Sequence, residues 1–191
     1  LVAYDEVRKR NPKYAAQGLD YGAKAIALIE ADKKPERLTG EQWTQYKTRL
    51  LAALYQGAGY FLLSTKKPDE AQARLEKSAS INPNDPFTYV LLGAVANDRY
   101  EDLATKYKAM SPGPAQDDAL KAALVAMDKV IDYYAHAVAL SEGSAPLQAL
   151  HDGVLQELTS LYKYRHSSSP DGLQQLIEKY KKAPSSAGPG H

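Results

Sequence analysis

Apolar residues recur every three or four positions along most of this chain, which is the spacing of one face of an α-helix. The clearest stripe comprises Leu120, Leu124, Met127, Ile131, Tyr134 and Val138. The next one comprises Leu147, Leu150, Val154, Leu158 and Leu161. Runs that alternate β-branched and polar residues, which are typical of strands, are missing. The pattern therefore predicts an all-α protein whose helices each bury one face against their neighbours.

Residues that start or stop helices mark the boundaries of these segments. Thr39 and Gln42 match a capping box, in which each side chain accepts a backbone N–H of the starting helix. Asp85 places a capping carboxylate before Pro86, and proline is favoured in a first helical turn. Pro68 also precedes two acidic residues, which the helix dipole favours there. Together these signals predict eight helices, at residues 12–32, 40–65, 68–81, 86–97, 100–110, 115–141, 145–166 and 170–182.

The stop Asn-Pro-Asn-Asp-Pro at residues 82–86 belongs to a recurring pattern. Gly93 follows Gly59 by 34 residues, and a period of 34 is typical of tetratricopeptide repeats, which are helix–turn–helix units. Residues 52–85 resemble such a unit. The matching positions are Tyr55, Gly59 and Leu62 on a first helix, Ala71 and Leu75 on a second helix, and Pro83 at the closing turn. Small side chains at Gly59 and Ala71 would let the two helices approach closely.

The resemblance implies an antiparallel stack of helix hairpins with longer capping helices at the C-terminal end. Gly22 and Gly93 occupy the small-residue position of the neighbouring units, and a turn at 97–99 divides the unit that contains Gly93. Residues 12–110 are then repeat-like and residues 115–182 form a divergent cap. We expect residues 1–182 to be a single domain, followed by a flexible tail at 183–191.

In tetratricopeptide proteins the inner helix of each unit lines a concave groove that holds a peptide. Transferred to this chain, the resemblance implies a peptide-binding set of Gln56, Tyr60, Leu63, Phe87, Val90, Ala94 and Asn97. This set is apolar and aromatic with amide groups, and it lacks the lysines that clamp a terminal carboxylate in some family members. The expected function is that of a non-enzymatic scaffold that binds a protein or peptide and needs no cofactor.

Two other functions are compatible with the sequence. The long helices between residues 115 and 166 could pack against a second copy, which would make the protein a structural homodimer. An enzyme would need a polar site, and the candidates are His136, four residues after Asp132, and His151 beside Asp152. The four histidines show no zinc-binding spacing, so we predict no metal site.

Composition narrows the partners but not the compartment. The 24 basic and 23 acidic residues leave a net charge of +1, so we expect neither nucleic acid nor an anionic membrane surface as a partner. The longest stretch without a charge, residues 50–65, is shorter than the roughly 20 residues of a membrane-spanning helix. The chain has no cysteine and begins with Leu1, and we expect any targeting segment to have been trimmed. The stretches YAHAVALSEG and LYKYRHSSSPDGLQQLIEKYKK resemble envelope-associated bacterial repeat proteins.

Overall fold

A computed structural model of the chain describes residues 14–181, and within that range it contains helices and no strand. The predicted all-α fold class is therefore confirmed. The α-helices are α1 (Ala15–Glu30), α2 (Gly40–Ser64), α3 (Pro68–Ile81), α4 (Pro86–Ala109), α5 (Pro114–Ser141), α6 (Gln148–Arg165) and α7 (Leu173–Lys181). A short 3-10 helix, Ala145–Leu147, precedes α6. The predicted start of the first helix at residue 12 and the predicted tail at 183–191 lie outside the described residues.

Capping groups begin α2 and α4 where the sequence predicted. The backbone N–H of Gln42 donates to the Thr39 hydroxyl at 3.2 Å, and the Thr39 N–H donates to the Gln42 side chain at 3.0 Å. Asp85 accepts the N–H groups of Phe87 at 3.3 Å and of Thr88 at 3.2 Å. Each of these bonds satisfies a backbone donor that the first turn of a helix leaves without an intrahelical partner.

Two predicted boundaries are wrong. Residues 86–97 and 100–110 do not form separate helices, because α4 runs without interruption from Pro86 to Ala109. The predicted turn at 97–99 was transferred from the repeat pattern, and the Asn-Asp-Arg sequence there contains no proline or glycine to stop a helix. The last helix begins at Leu173 rather than at residue 170. The preceding loop holds Ser167, Ser168 and Gly172 at positive φ, a conformation that is incompatible with a helix.

The α2–α3 hairpin is held together by a close contact at Gly59. A Cβ atom added to Gly59 would lie 2.5 Å from Cγ of Leu75 and 3.3 Å from the carbonyl oxygen of Ala71. Ala71 and Leu75 are themselves completely buried. The close approach that the sequence predicted at these three residues is therefore present. Gly22 makes no such contact, since a Cβ there would meet nothing within 4 Å.

The structure divides into two compact units at the Asp98–Arg99 bond, which lies within α4. In the first unit α1 lies antiparallel to α2, because Ala15 at its start packs with Phe61 while Glu30 at its end accepts a hydrogen bond from Tyr55 at 2.7 Å. Helix α3 is antiparallel to α2 as well, and it ends at the exposed turn that contains Pro83. Each pair of consecutive helices from α1 to α3 is thus a hairpin.

The second unit is built around α5, which packs against α6 and α7. The predicted stripe of α5 is largely confirmed, since its last four members are buried and its first two are half-buried. Arg165 on α6 donates to both carboxylate oxygens of Asp128 on α5, at 2.8 and 3.2 Å. The Tyr162 hydroxyl donates to the carbonyl oxygen of Asp171 at 2.8 Å and so fixes the loop before α7.

We predict that Gly59→Ala destabilises the fold whereas Gly57→Ala, two residues away on the same helix, does not. Overpacking against Leu75 costs about 1–3 kcal/mol, which exceeds the roughly 0.5–1 kcal/mol that alanine gains over glycine in a helix. A Cβ at Gly57 meets nothing within 4 Å, so only the gain in helix propensity from glycine to alanine applies there. Urea unfolding followed by circular dichroism measures both free energies of unfolding. Equal stabilisation by the two substitutions would contradict the close contact.

Candidate peptide-binding surface

Side-chain contacts align α2 and the first half of α4 in parallel. The Gln56 amide donates to the Thr88 hydroxyl at 2.9 Å, and Lys66, just after α2, lies 3.4 Å from the Asp98 carboxylate. Both pairs are 32 residues apart in the sequence, so the two helices advance together in the same direction. Residues on corresponding faces of α2 and α4 therefore border one surface of the first unit.

Gln56 belongs to a buried polar network that joins three helices. Its amide also donates to the Asp85 carboxylate, and that carboxylate accepts the Thr88 hydroxyl at 2.7 Å. The Ser78 hydroxyl on α3 lies 3.3 Å from that of Thr88 and donates to the carbonyl oxygen of Ala52 at 2.9 Å. Thr88 and Ser78 are fully buried. The Gln56 amide, a predicted ligand contact, is thus already engaged in holding α4 to the α2–α3 hairpin.

Tyr60 is half-buried and packs with Leu19 against the small core cluster formed by Ala15 and Phe61. Its ring centroid lies 6.1 Å from that of Phe61, with the ring planes inclined by 50°. Such tilted pairs contribute beyond simple area burial. Tyr60 therefore holds α1 to α2 in addition to bordering the candidate surface.

The remaining predicted residues differ in how far they reach the solvent. Phe87, in the first turn of α4, leaves 48% of its surface exposed, which is unusual for so large an apolar side chain. The other predicted positions are half-buried and comprise Leu63, Val90, Ala94 and Asn97. Phe87 is consequently the member of the predicted set that is most available to a partner.

An apolar stripe on α2, of which the sequence analysis predicted only Tyr60, is exposed over its first three members and half-buried at its last two. It runs through Tyr46, Leu50, Ala53, Gly57 and Tyr60, at successive spacings of 4, 3, 4 and 3 residues. Tyr46 and Leu50 are 43% and 39% exposed. The spacing is present in the sequence, but the repeat positions Tyr55, Gly59 and Leu62 on the same helix predict a different face. We call these five residues the α2 stripe.

Arg49 flanks the α2 stripe and supplies a positive charge. Its guanidinium carbon lies 5.3 Å from the centroid of the Tyr46 ring, a cation–π arrangement. Within residues 14–181 it forms no ion pair with a carboxylate. Lys47, on the opposite flank, is instead neutralised by Asp32 at 2.8 Å. The charge next to the stripe is therefore that of Arg49.

An open groove of about 630 Å³ lies at the start of α2, where Trp43, Thr44, Lys47 and Leu51 form part of its wall. Asp32 accepts hydrogen bonds from the Trp43 indole at 2.9 Å and from Lys47 at 2.8 Å, and these contacts lower the pKa of Asp32, the Lys47 hydrogen bond most strongly. The polar groups of this groove are thus used to close the α1–α2 loop.

His136 is part of a structural cluster between α5 and α7. Its ring stacks on that of Tyr180 with a centroid separation of 4.3 Å. The Tyr180 hydroxyl donates to Asp132, which also lies 3.5 Å from the Lys179 ammonium. Burial lowers the pKa of His136 from its ordinary 6.5 to about 4, against the opposing effect of Asp132. The neutral imidazole therefore serves as a packing surface for α7.

The second candidate histidine, His151, has a simpler setting. Its Nδ1 lies 3.2 Å from the carboxylate of the adjacent Asp152, which is exposed. Over the described part of the chain, no group of three or more histidine and carboxylate side chains is arranged to hold a metal ion.

Compared with protein-family models, with curated proteins and with solved structures, the chain matches none of them. Among the helices between residues 14 and 181, none combines the length and the apolar character needed to cross a membrane.

The depressed pKa of His136 predicts that acid weakens the packing of α7. The unfolded chain binds a proton at His136 near pH 6.5, whereas the folded chain binds it only near pH 4. The stability from this group is therefore fully present above pH 6.5 and is lost as the pH falls towards 4. Between pH 7 and pH 4, the free energy of unfolding measured with urea should fall less in His136→Phe than in the wild type. The phenylalanine keeps a stacked ring but does not titrate. Parallel losses in both proteins would contradict this assignment.

Proposed function

We propose that this chain is a non-enzymatic, tetratricopeptide-like scaffold that binds a segment of another protein on the surface formed by α2 and the first half of α4. The observation that carries this proposal is the α2 stripe together with Phe87. Three large apolar side chains of this set, Tyr46, Leu50 and Phe87, are exposed on two helices that side-chain contacts align in parallel. Exposed, contiguous apolar surface is a common mark of protein interaction sites.

Packing and hydrogen bonds hold the helices of this surface together, which favours binding. The α2 helix is packed against α1 through Tyr60 and against α3 through Gly59, and the Gln56 network fixes α4 beside it. A partner that binds a preformed surface loses only its own conformational freedom and does not have to order the scaffold as well.

The chemistry of the surface suits a polypeptide rather than a small polar substrate. Apolar and aromatic groups dominate it, and the nearby amide of Gln56 is occupied internally. The histidine cluster at α7 is explained by packing between α5 and α7. These features support binding in preference to catalysis.

We predict that Leu50→Gln and Phe87→Ala each weaken binding of peptides selected against the wild-type protein from a displayed random library. Loss of an apolar residue that acts as a hot spot of an interface costs more than about 1 kcal/mol, which corresponds to a rise in Kd of more than roughly 5-fold. Fluorescence anisotropy with labelled peptides measures the Kd. Both positions are exposed, so circular dichroism and urea unfolding should show an unchanged fold.

Val125→Gln provides the matched control, because Val125 is an aliphatic residue that is 57% exposed on α5, a helix of the second unit. Its Kd should equal that of the wild type. Sedimentation of the same variants tests the alternative of self-association through the C-terminal helices. A wild-type dimer that dissociates in Val125→Gln, together with peptide binding unaffected by Leu50→Gln and Phe87→Ala, would replace the peptide-binding proposal by that alternative.

A further inference from the structure

The spacing of the α2 stripe is that of a coiled-coil seam. Its members, Tyr46, Leu50, Ala53, Gly57 and Tyr60, alternate separations of 4 and 3 residues over two full heptads. Such a stripe presents one continuous line of apolar groups to a helix that lies along it. A peptide in another conformation would match this line at fewer positions, because side chains of an extended chain recur at a different spacing.

The sizes of the side chains along the seam also suit a partner helix. Bulky residues stand at its two ends, while the middle positions, Ala53 and Gly57, are small. A Cβ at Gly57 would meet nothing within 4 Å, so space is open above this part of α2. Small residues at the centre of a crossing let two helix axes approach closely, with the larger side chains filling the space at either end.

The hydrogen-bonding needs of the partner's backbone also favour a helix. A helix satisfies its own N–H and C=O groups, whereas an extended peptide needs hydrogen-bond partners along the surface that binds it. The backbone of α2 is engaged within its own helix, and the Gln56 amide is committed to Asp85 and Thr88. The surface therefore offers few partners to an extended backbone.

The positive charge of Arg49 beside the seam favours a partner with a negative charge at the facing position. Arg49 lies three residues after Tyr46 and four before Ala53, beside the seam, and no carboxylate pairs with it within residues 14–181. Lys47 on the other flank already has Asp32. Residues that flank a coiled-coil seam select partners by ion pairing, so a carboxylate at the facing position of the partner is favoured.

We propose that the segment bound by the α2 stripe is an amphipathic helix of another protein that carries a glutamate or aspartate beside its apolar seam, opposite Arg49. This inference rests on the proposed function, since it specifies the conformation and the charge of the segment that occupies the same surface.

The probe is a displayed library of amphipathic helices about three heptads long, with apolar residues varied at the seam positions and Glu, Gln or Lys varied at the flanking positions. Clones selected on the wild-type protein should be enriched in Glu at a flanking position. In the purified peptides, exchange of that Glu for Lys should raise the Kd roughly 3- to 10-fold, the range expected of a partly exposed interfacial ion pair. Arg49→Glu should reverse the preference in favour of Lys, whereas Arg49→Gln should abolish it.

A second library with a proline at the central seam position tests the conformation, because proline in a helix interior breaks it. Fewer binders from this library support the helix. The inference would be overturned by any of three results. These are equal numbers of binders from both libraries, no binders from the helical library, or flanking residues in the selected peptides that do not change when Arg49→Glu replaces the wild type. In any of those cases, the proposed function would still hold if peptides from the random library bind the wild-type protein and lose affinity in Leu50→Gln. A wild-type dimer that Leu50→Gln disrupts would instead identify a second copy of this chain as the occupant.

Discussion

The contact between Gly59 and the Leu75–Ala71 surface is the constraint on which the first unit depends. It brings the backbone of α2 against a buried leucine of α3 with no room for a single carbon atom at Gly59. The same two helices are also joined by the Ser78 hydroxyl, which donates to the carbonyl oxygen of Ala52. That hydroxyl in turn lies beside Thr88, which receives the Gln56 amide. The hairpin that is closed at Gly59 thus carries the polar contacts that align α4 with α2 beside the candidate surface.

The helix stop at residues 82–86 connects local chemistry to this alignment. Asp85 begins α4 by accepting backbone N–H groups, and the same carboxylate receives the Gln56 amide. A group that starts a helix thus also fixes its position. This dual use gives Gln56 and Asp85 a structural role at the edge of the candidate surface and leaves recognition to the neighbouring apolar side chains.

What the sequence predicted well are features encoded within a few residues. The capping box at Thr39 is a local pattern whose consequence does not depend on the rest of the chain. The contact of Gly59 with Ala71 lies within one hairpin and was predicted from the repeat pattern, whereas the same pattern at Gly22 produced no contact. The extent of α4 was mispredicted because a repeat period was imposed on residues that carry no helix-breaking signal. The pairing of Gln56 with Asp85, 29 residues away, depends on how three helices pack. No local pattern reveals that the amide is therefore occupied, or that Leu50 remains exposed.

Tyr60 has two roles. It packs against the cluster of Ala15 and Phe61 that anchors α1, and it is the last residue of the α2 stripe. A molecule seated along that stripe would restrict the same ring that secures the first helix of the described fold. Occupancy and the opening of α1 would then be thermodynamically linked, so that each reports on the other. Protection of the α1 amides from hydrogen exchange would then rise with ligand concentration.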